Sequence, residues 1–236
     1  MLINNVFKPN ILTNLFDLFF PESCINCGDY IQVKGQYLCI FCNSELALTD
    51  FSTFPQNGVE TTFRGRLPIE AGTALLFFDK KSMTQKVLHE LKYRGRPEIG
   101  IFIGRWLAAE MKLSKRFNTL DVVIPVPLHH RKQKRRGYNQ VTLFAETIAK
   151  ELNLMFLPDT LIKKTDNVTQ TKRNRFERIW NENSDYDLRD AETLKGRHIL
   201  LVDDVITSGA TMEACSLCLL KVEGIRLSIA SMAFTS

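Results

Sequence analysis

Residues 198–211, HILLVDDVITSGAT, constrain the fold of this chain more than any other stretch. Ile199 to Val202 form an apolar run with no polar alternation, which predicts a strand buried on both faces. Asp203 and Asp204 stand where that strand ends. Thr207, Ser208, Gly209, Ala210 and Thr211 then predict a tight turn into a helix, with Gly209 supplying the conformational freedom the turn needs. A strand buried on both faces requires cover from both sides, so the segment points to a parallel sheet in an α/β fold.

The chain from residue 73 onward fits that class. TALLFF, beginning at Thr73, predicts a short strand. Helices are predicted over 86–94, where Val87, Leu88 and Leu91 share one side, and over 99–113. LDVVIPVP at 120–127 is rich in β-branched residues and ends on proline, which predicts another buried strand. A helix over 140–152 places Val141, Phe144, Ala145, Ile148 and Leu152 on one face. A helix over 210–223, with Gly224 as its stop, leads to a last strand over 225–234. Strands alternating with helices give a parallel sheet with helices on both faces, whose ligands bind at the carboxyl ends of the strands. Residues 1–50 hold four of the six cysteines and read as a small separate module. Residues 51–72 read as a linker, punctuated by Ser52, Pro55, Asn57, Gly58, Gly65 and Pro68. Residues 73–236 read as the α/β domain.

The turn after residue 206 suits a phosphate. It offers backbone N–H groups at a helix N-terminus and the hydroxyls of Thr207, Ser208 and Thr211. Charge-assisted hydrogen bonds at about 1.5–3 kcal/mol each outweigh the helix end itself, at about 0.3–1 kcal/mol. Asp203 and Asp204 do a different job. Ionised carboxylates accept hydrogen bonds, so the pair matches the adjacent hydroxyls of a ribose, and it also attracts Mg²⁺. The alternative is an acidic pair in an exposed turn followed by an ordinary helix cap. The complete order of apolar strand, Asp-Asp, two apolar residues, Thr-Ser-Gly and a further Thr favours a phosphorylated ribose.

Cys24 and Cys27 form one CxxC pair, and Cys39 and Cys42 form a second, eleven residues later. Each pair sets two thiolates on a knuckle, and four thiolates suit tetrahedral zinc. The alternative is a set of free or redox-active thiols. Zinc held this way is structural, because four thiolates leave no open position. Gly28 fits the knuckle turn, and Tyr37, Leu38 and Phe41 are expected to shield the site. Cys215 and Cys218 also read CxxC, but on a predicted helix among Met212, Leu219 and Val222, so they are expected to pack.

Four features together resemble the ComF family of competence-associated proteins, within the type I phosphoribosyltransferases. They are the four-cysteine knuckles, HELKYRG at 89–95, PVPLHHRKQKRRGYNQ at 125–140 and VDDVITSGATM at 202–212. The resemblance covers nearly the whole chain. It implies a phosphoribosyltransferase-like parallel sheet fused to a zinc ribbon, and phosphoribosyl diphosphate (PRPP) with Mg²⁺ as ligand. It implies that Asp203 and Asp204 hold the ribose hydroxyls and that Thr207, Ser208, Gly209, Ala210 and Thr211 cradle the 5′-phosphate. PRPP also carries a pyrophosphate, so a second anion site is expected. The loop after 120–127 contains Arg131, Lys132, Lys134, Arg135 and Arg136, cations that are costly to crowd together without an anion. A solvated basic face or a nucleic-acid patch is the alternative, and the position after a central strand favours pyrophosphate. The basic stretch 163–181 falls where related enzymes carry a mobile loop that closes over pyrophosphate. Lys164, Gln170, Lys172, Arg175 and Arg178 are its candidates, against the alternative of an exposed loop.

The composition, 44% hydrophobic and 24% charged, is that of a soluble globular protein, and the net charge of +5 suits anionic ligands. Residues 1–20 lack the marks of a secretory signal, and Leu12, Leu15, Phe16 and Phe19 fall at helical spacing. No apolar run is long enough to span a membrane, so a cytoplasmic protein without membrane insertion is expected. The family resemblance implies a role in DNA uptake, with single-stranded DNA and proteins of the competence machinery as partners. Phosphoribosyl transfer assisted by Mg²⁺ is one reading. A non-catalytic factor that binds single-stranded DNA, or an adaptor using the zinc ribbon and basic loops, is the other. No residue stands out as a general base, because carboxylates are spread through the chain; Tyr138 and His129 are the candidates.

Overall fold

A computed structural model of the chain describes residues 23–31, 36–128, 137–164 and 185–235. Two compact units divide between Leu46 and Ala47. In the smaller unit, Ser23 and Tyr30 form an antiparallel bridge around the first cysteine pair, and helix α1 (Ile40–Ser44) carries the second. Cys24, Ile31, Leu38, Cys42 and Leu46 are its buried residues. So small an apolar core rarely holds a module together without a staple. The amphipathic segment expected around Leu12–Phe19 lies outside the described residues.

The larger unit is built on a parallel sheet. Its strands are β1 (Ala71–Phe77), β2 (Val122–Pro125), β3 (Met155–Phe156), β6 (His198–Ile206) and β7 (Arg226–Phe234), in the order β1-β7-β6-β2-β3. Every neighbouring pair runs parallel. A separate antiparallel pair joins β4 (Leu161–Lys163) to β5 (Tyr186–Leu188). The helices are α2 (Gly58–Phe63), α3 (Met83–Tyr93), α4 (Ile99–Leu113), α5 (Thr142–Leu152) and α6 (Ala210–Leu219). The expected class, a parallel sheet with helices on both faces, is borne out.

The run ILLV in β6 is fully buried on both sides, as its lack of alternation predicts. Ile199 and Leu201 pack in one cluster with Met212, Cys215 and Leu219 of α6. Strand alternation sends Leu200 and Val202 to the other face. Cys215 and Cys218 are buried packing residues, as expected from their helical spacing.

Helices α4 and α5 lie unusually close. A Cβ on Gly104 would stand 2.9 Å from the Phe144 carbonyl oxygen and 3.0 Å from Thr147 Cβ. One on Gly100 would meet the Phe144 backbone nitrogen at 3.2 Å. Small residues here allow the two backbones to approach and bury Ile103, Leu107, Phe144 and Ile148.

Three differences from the sequence reading matter. Residues 51–72 are not a linker. Asn57 caps α2 through the Glu60 amide, and Val59, Phe63 and Leu67 join the core cluster. Gly and Pro punctuation there marks tight turns within packed structure rather than a loose tether. Helix α6 ends at Leu219 instead of 223, and Gly224 adopts its positive φ of 73° in the turn that follows. Strands β3, β4 and β5 were not anticipated. No helix among the described residues is long and apolar enough to cross a membrane.

Replacing Gly104 by Val should destabilise the fold by about 1–3 kcal/mol through overpacking against α5. Urea denaturation measures this, and unchanged stability would contradict the close approach of α4 and α5.

Candidate functional site

Strand β6 runs further than its neighbour β2. Their register ends with Pro125 opposite Val202, and the last bond between them runs from the Val126 N–H to the Val202 carbonyl, 2.8 Å. Pro125 and Pro127 lack N–H groups, which limits the donors that β2 offers. Beyond Val202, β6 continues to Ile206 along β7. Asp203 and Asp204 therefore stand on an overhang, inside the strand near its carboxyl end. From β2 the chain crosses through α5 to β3, and from β6 it crosses the opposite way through α6 to β7. The overhang thus lies at a topological switch point, where open α/β sheets form crevices.

A cavity of about 240 Å³ opens there. Asp203, Asp204, Val126 and Pro127 line it from the strand ends, and Thr211 from the start of α6. Lys92, Gln140, Lys163 and Tyr186 are among the other residues of the wall. These four were not singled out as site residues from the sequence. Lys92 belongs to HELKYRG at the end of α3, and Gln140 closes the GYNQ run before α5. Lys163 and Tyr186 come from β4 and β5, strands too short to show periodicity.

The two aspartates differ in environment. Burial, followed by the neighbouring Asp204 carboxylate, pushes the Asp203 carboxyl up to about 8. Asp203 Oδ1 accepts the Asp204 amide at 2.7 Å. Asp204 Oδ2 takes an ion pair from Lys92 Nζ at 3.0 Å and a hydrogen bond from Gln140 Nε2 at 2.5 Å. Tyr186 stands beside Cys215, and burial pushes both groups well above their ordinary values, so both stay neutral. Lys163 Nζ lies 5.2 Å from the Tyr186 ring centroid, within cation–π range.

The turn after β6 has the expected form. Gly209 has φ 77°, and an added Cβ would meet the Phe63 ring at 2.8 Å, so both backbone angle and space demand glycine. Arg66 Nη1 donates to the Ser208 carbonyl at 3.1 Å, and the same guanidinium pairs with Glu213 on α6. Thr207, Ser208, Ala210 and Thr211 are exposed around the turn. Lys164 follows β4 and is exposed, and its amide donates to the Asp185 carbonyl at 2.8 Å. Tyr138, weighed above as a base, donates its hydroxyl to the Leu91 carbonyl, which ties the GYNQ run to the end of α3. His129, Arg131, Lys132, Lys134, Arg135, Arg136, Gln170, Lys172, Arg175 and Arg178 lie outside the described residues.

In the smaller unit, the sulfurs of Cys24, Cys27, Cys39 and Cys42 all lie within 4.8 Å of one another. Cys27 and Cys39 Sγ are 3.6 Å apart, near the edge of about 3.8 Å for a tetrahedron with metal–sulfur bonds of about 2.3 Å. Gly28 has φ 81°, and its amide donates to the Cys24 carbonyl at 2.9 Å. Burial opposes ionisation of Cys24, but hydrogen bonds from the Cys27, Cys39 and Asn26 backbones outweigh it and bring the thiol to about 6. The donor set and its spacing fit a metal such as zinc. Leu38 is buried, whereas Phe41 is 76% exposed and cannot shield the cluster as expected.

Residues 141–234 match the model of the phosphoribosyl transferase domain. That stretch is similar to a phosphoribosyl transferase domain. The match takes in α5, β6, α6 and β7, and so includes the aspartate overhang and the Gly209 turn. Over most of its length the chain is also similar to curated proteins. It is 28% identical over 214 residues to DNA utilization protein YhgH of Escherichia coli O157:H7, covering 86% of this chain and 93% of that protein. It is 26% identical over 218 residues to competence protein F of Haemophilus influenzae, with the same coverage of 86% and 93%. It is 29% identical over 230 residues to competence protein ComFC of Bacillus subtilis, covering 94% of this chain and 88% of that protein. The ComF-like resemblance seen in the sequence is borne out.

The raised Asp203 carboxyl sets a pH dependence for the stability of the larger unit. Its folded value lies above the unfolded value of about 3.9, so the folded state binds the extra proton and stability falls as pH rises from about 4 to about 8. Asp203→Asn should remove that loss, gaining stability over wild type between pH 5 and pH 8 in urea denaturation. A difference between the two proteins that does not change with pH would contradict the assignment.

Proposed function

We propose that the larger unit binds PRPP at the β6–β2 crevice, in a cytoplasmic protein that serves DNA uptake. One observation carries this reading: the aspartate overhang and the Gly209 turn meet at the switch point of a parallel sheet. Asp203 and Asp204 hold the ribose hydroxyls. Thr207, Ser208, Gly209, Ala210 and Thr211 cradle the 5′-phosphate with backbone N–H groups and hydroxyls. Arg131, Arg135, Arg136, Lys164, Arg175 and Arg178 take the pyrophosphate. Mg²⁺, arriving with PRPP, would neutralise charge on the departing pyrophosphate in a phosphoribosyl transfer. The chain's own residues fix the ribose and offer cations to the leaving group, an electrostatic task that needs no covalent nucleophile. The link to DNA uptake is supported by the names of the relatives, DNA utilization protein and competence protein.

The four-cysteine unit is proposed as a structural zinc ribbon. Tyr30 and Phe41, 61% and 76% exposed, favour a second role for it as a surface on which a single strand or a competence protein docks.

Calorimetry with PRPP and Mg²⁺ tests the main reading. Asp204→Asn should weaken PRPP at least about tenfold, about 1.4 kcal/mol, and equal affinity would refute the carboxylate contact. Metal analysis should find one zinc per chain. Cys42→Ser should lower that content and remove hydrogen-exchange protection from amides of residues 24–46, and full protection without metal would argue against a structural ion.

A further inference from the structure

Gln140 is buried, with 5% of its surface exposed, and it lines the crevice beside Asp204. Its Nε2 donates to Asp204 Oδ2. Its Oε1 is buried and accepts no hydrogen bond among the described residues. The amide cannot be turned to relieve this, because turning it would set Oε1 against the Asp204 carboxylate. Lys92 Nζ pairs with the same Asp204 oxygen at 3.0 Å and helps to fix the carboxylate. Asn139 fixes the backbone: its Nδ2 donates to the Val126 carbonyl at 3.1 Å, and its Oδ1 accepts the Val141 amide at 3.1 Å. The orphaned acceptor is therefore held in one orientation by two charged groups and a strand end.

Buried polar atoms normally have partners, and leaving one without is costly. Asn43 Oδ1, Ser216 Oγ and Thr235 Oγ1 are also without partners among the described residues. Of these four, Gln140 belongs to the wall of the crevice. An amide oxygen cannot contact an ionised phosphate favourably, because both only accept. A hydroxyl donor on the ligand satisfies it.

The geometry points to Gln140 as a sugar-reading residue, whose Oε1 works beside the aspartate pair and accepts one of the two adjacent ribose hydroxyls. This rests on the phosphoribose reading of the crevice and adds a specificity to it. A site with a fixed, buried acceptor rejects an analogue that lacks the matching hydroxyl, because the acceptor is then left unpaired. The site thus distinguishes ribose 5-phosphate from the deoxyribose 5-phosphate that lacks the hydroxyl Gln140 reads.

Calorimetry on the full chain with ribose 5-phosphate, 2-deoxyribose 5-phosphate and 3-deoxyribose 5-phosphate tests this. Wild type should bind ribose 5-phosphate at least about tenfold more tightly than one of the deoxy sugars. In Gln140→Met that same ratio should fall below about threefold, with a thermal melt confirming that the variant folds. A folded variant that keeps both wild-type ratios overturns the role of Gln140. Wild type that binds all three sugars equally overturns it without need of the variant. Wild type that binds none of them overturns the phosphoribose reading itself, and the inference falls with it.

Discussion

The unequal length of two neighbouring strands governs the rest of this structure. Strand β6 outruns β2 by the residues that follow Val202, and this overhang carries Asp203 and Asp204 above the end of the sheet. A parallel sheet buried on both faces offers little polar surface along its length. Chemistry must collect where a strand is left without one neighbour. The opposite crossovers from β2 and β6 open that place, and the Gly209 turn closes it with a helix start.

Much of this was legible in the sequence because the signals were local. ILLV without alternation announced a doubly buried strand, and it is one. Gly209 between Ser208 and Ala210 announced a turn with positive φ. The cysteine spacing announced a cluster, and the sulfurs converge. What escaped was set by contacts between distant segments. Residues 51–72 look like a tether by composition, yet Val59 and Phe63 are core residues. Their burial depends on packing over β1 and β7, which no local period reports. Strands β4 and β5 have three residues each, too few to show alternation.

The same limit explains which site residues were missed. Lys92 ends an amphipathic helix, where a lysine ordinarily serves the helix terminus and solvent. Its pairing with Asp204 joins positions far apart in sequence. Gln140 looked like the first residue of a helix, and its contact with Asp204 again depends on the tertiary fold. The hint was present in the motifs: HELKYRG and GYNQ hold polar residues beside buried ones, and Tyr138 locks the two motifs to each other through Leu91. The acidic pair is thus a buried Asp203 carboxyl raised toward its neutral form and an Asp204 paired with Lys92, rather than two exposed charges.

Hydrogen exchange with and without PRPP tests the central claim most directly, because it reports where on the chain the ligand acts. Binding at the overhang predicts added protection for amides of residues 204–211 and 139–141, with none in residues 24–46. Protection confined to other segments, or no change at saturating PRPP, would contradict the assignment of the crevice.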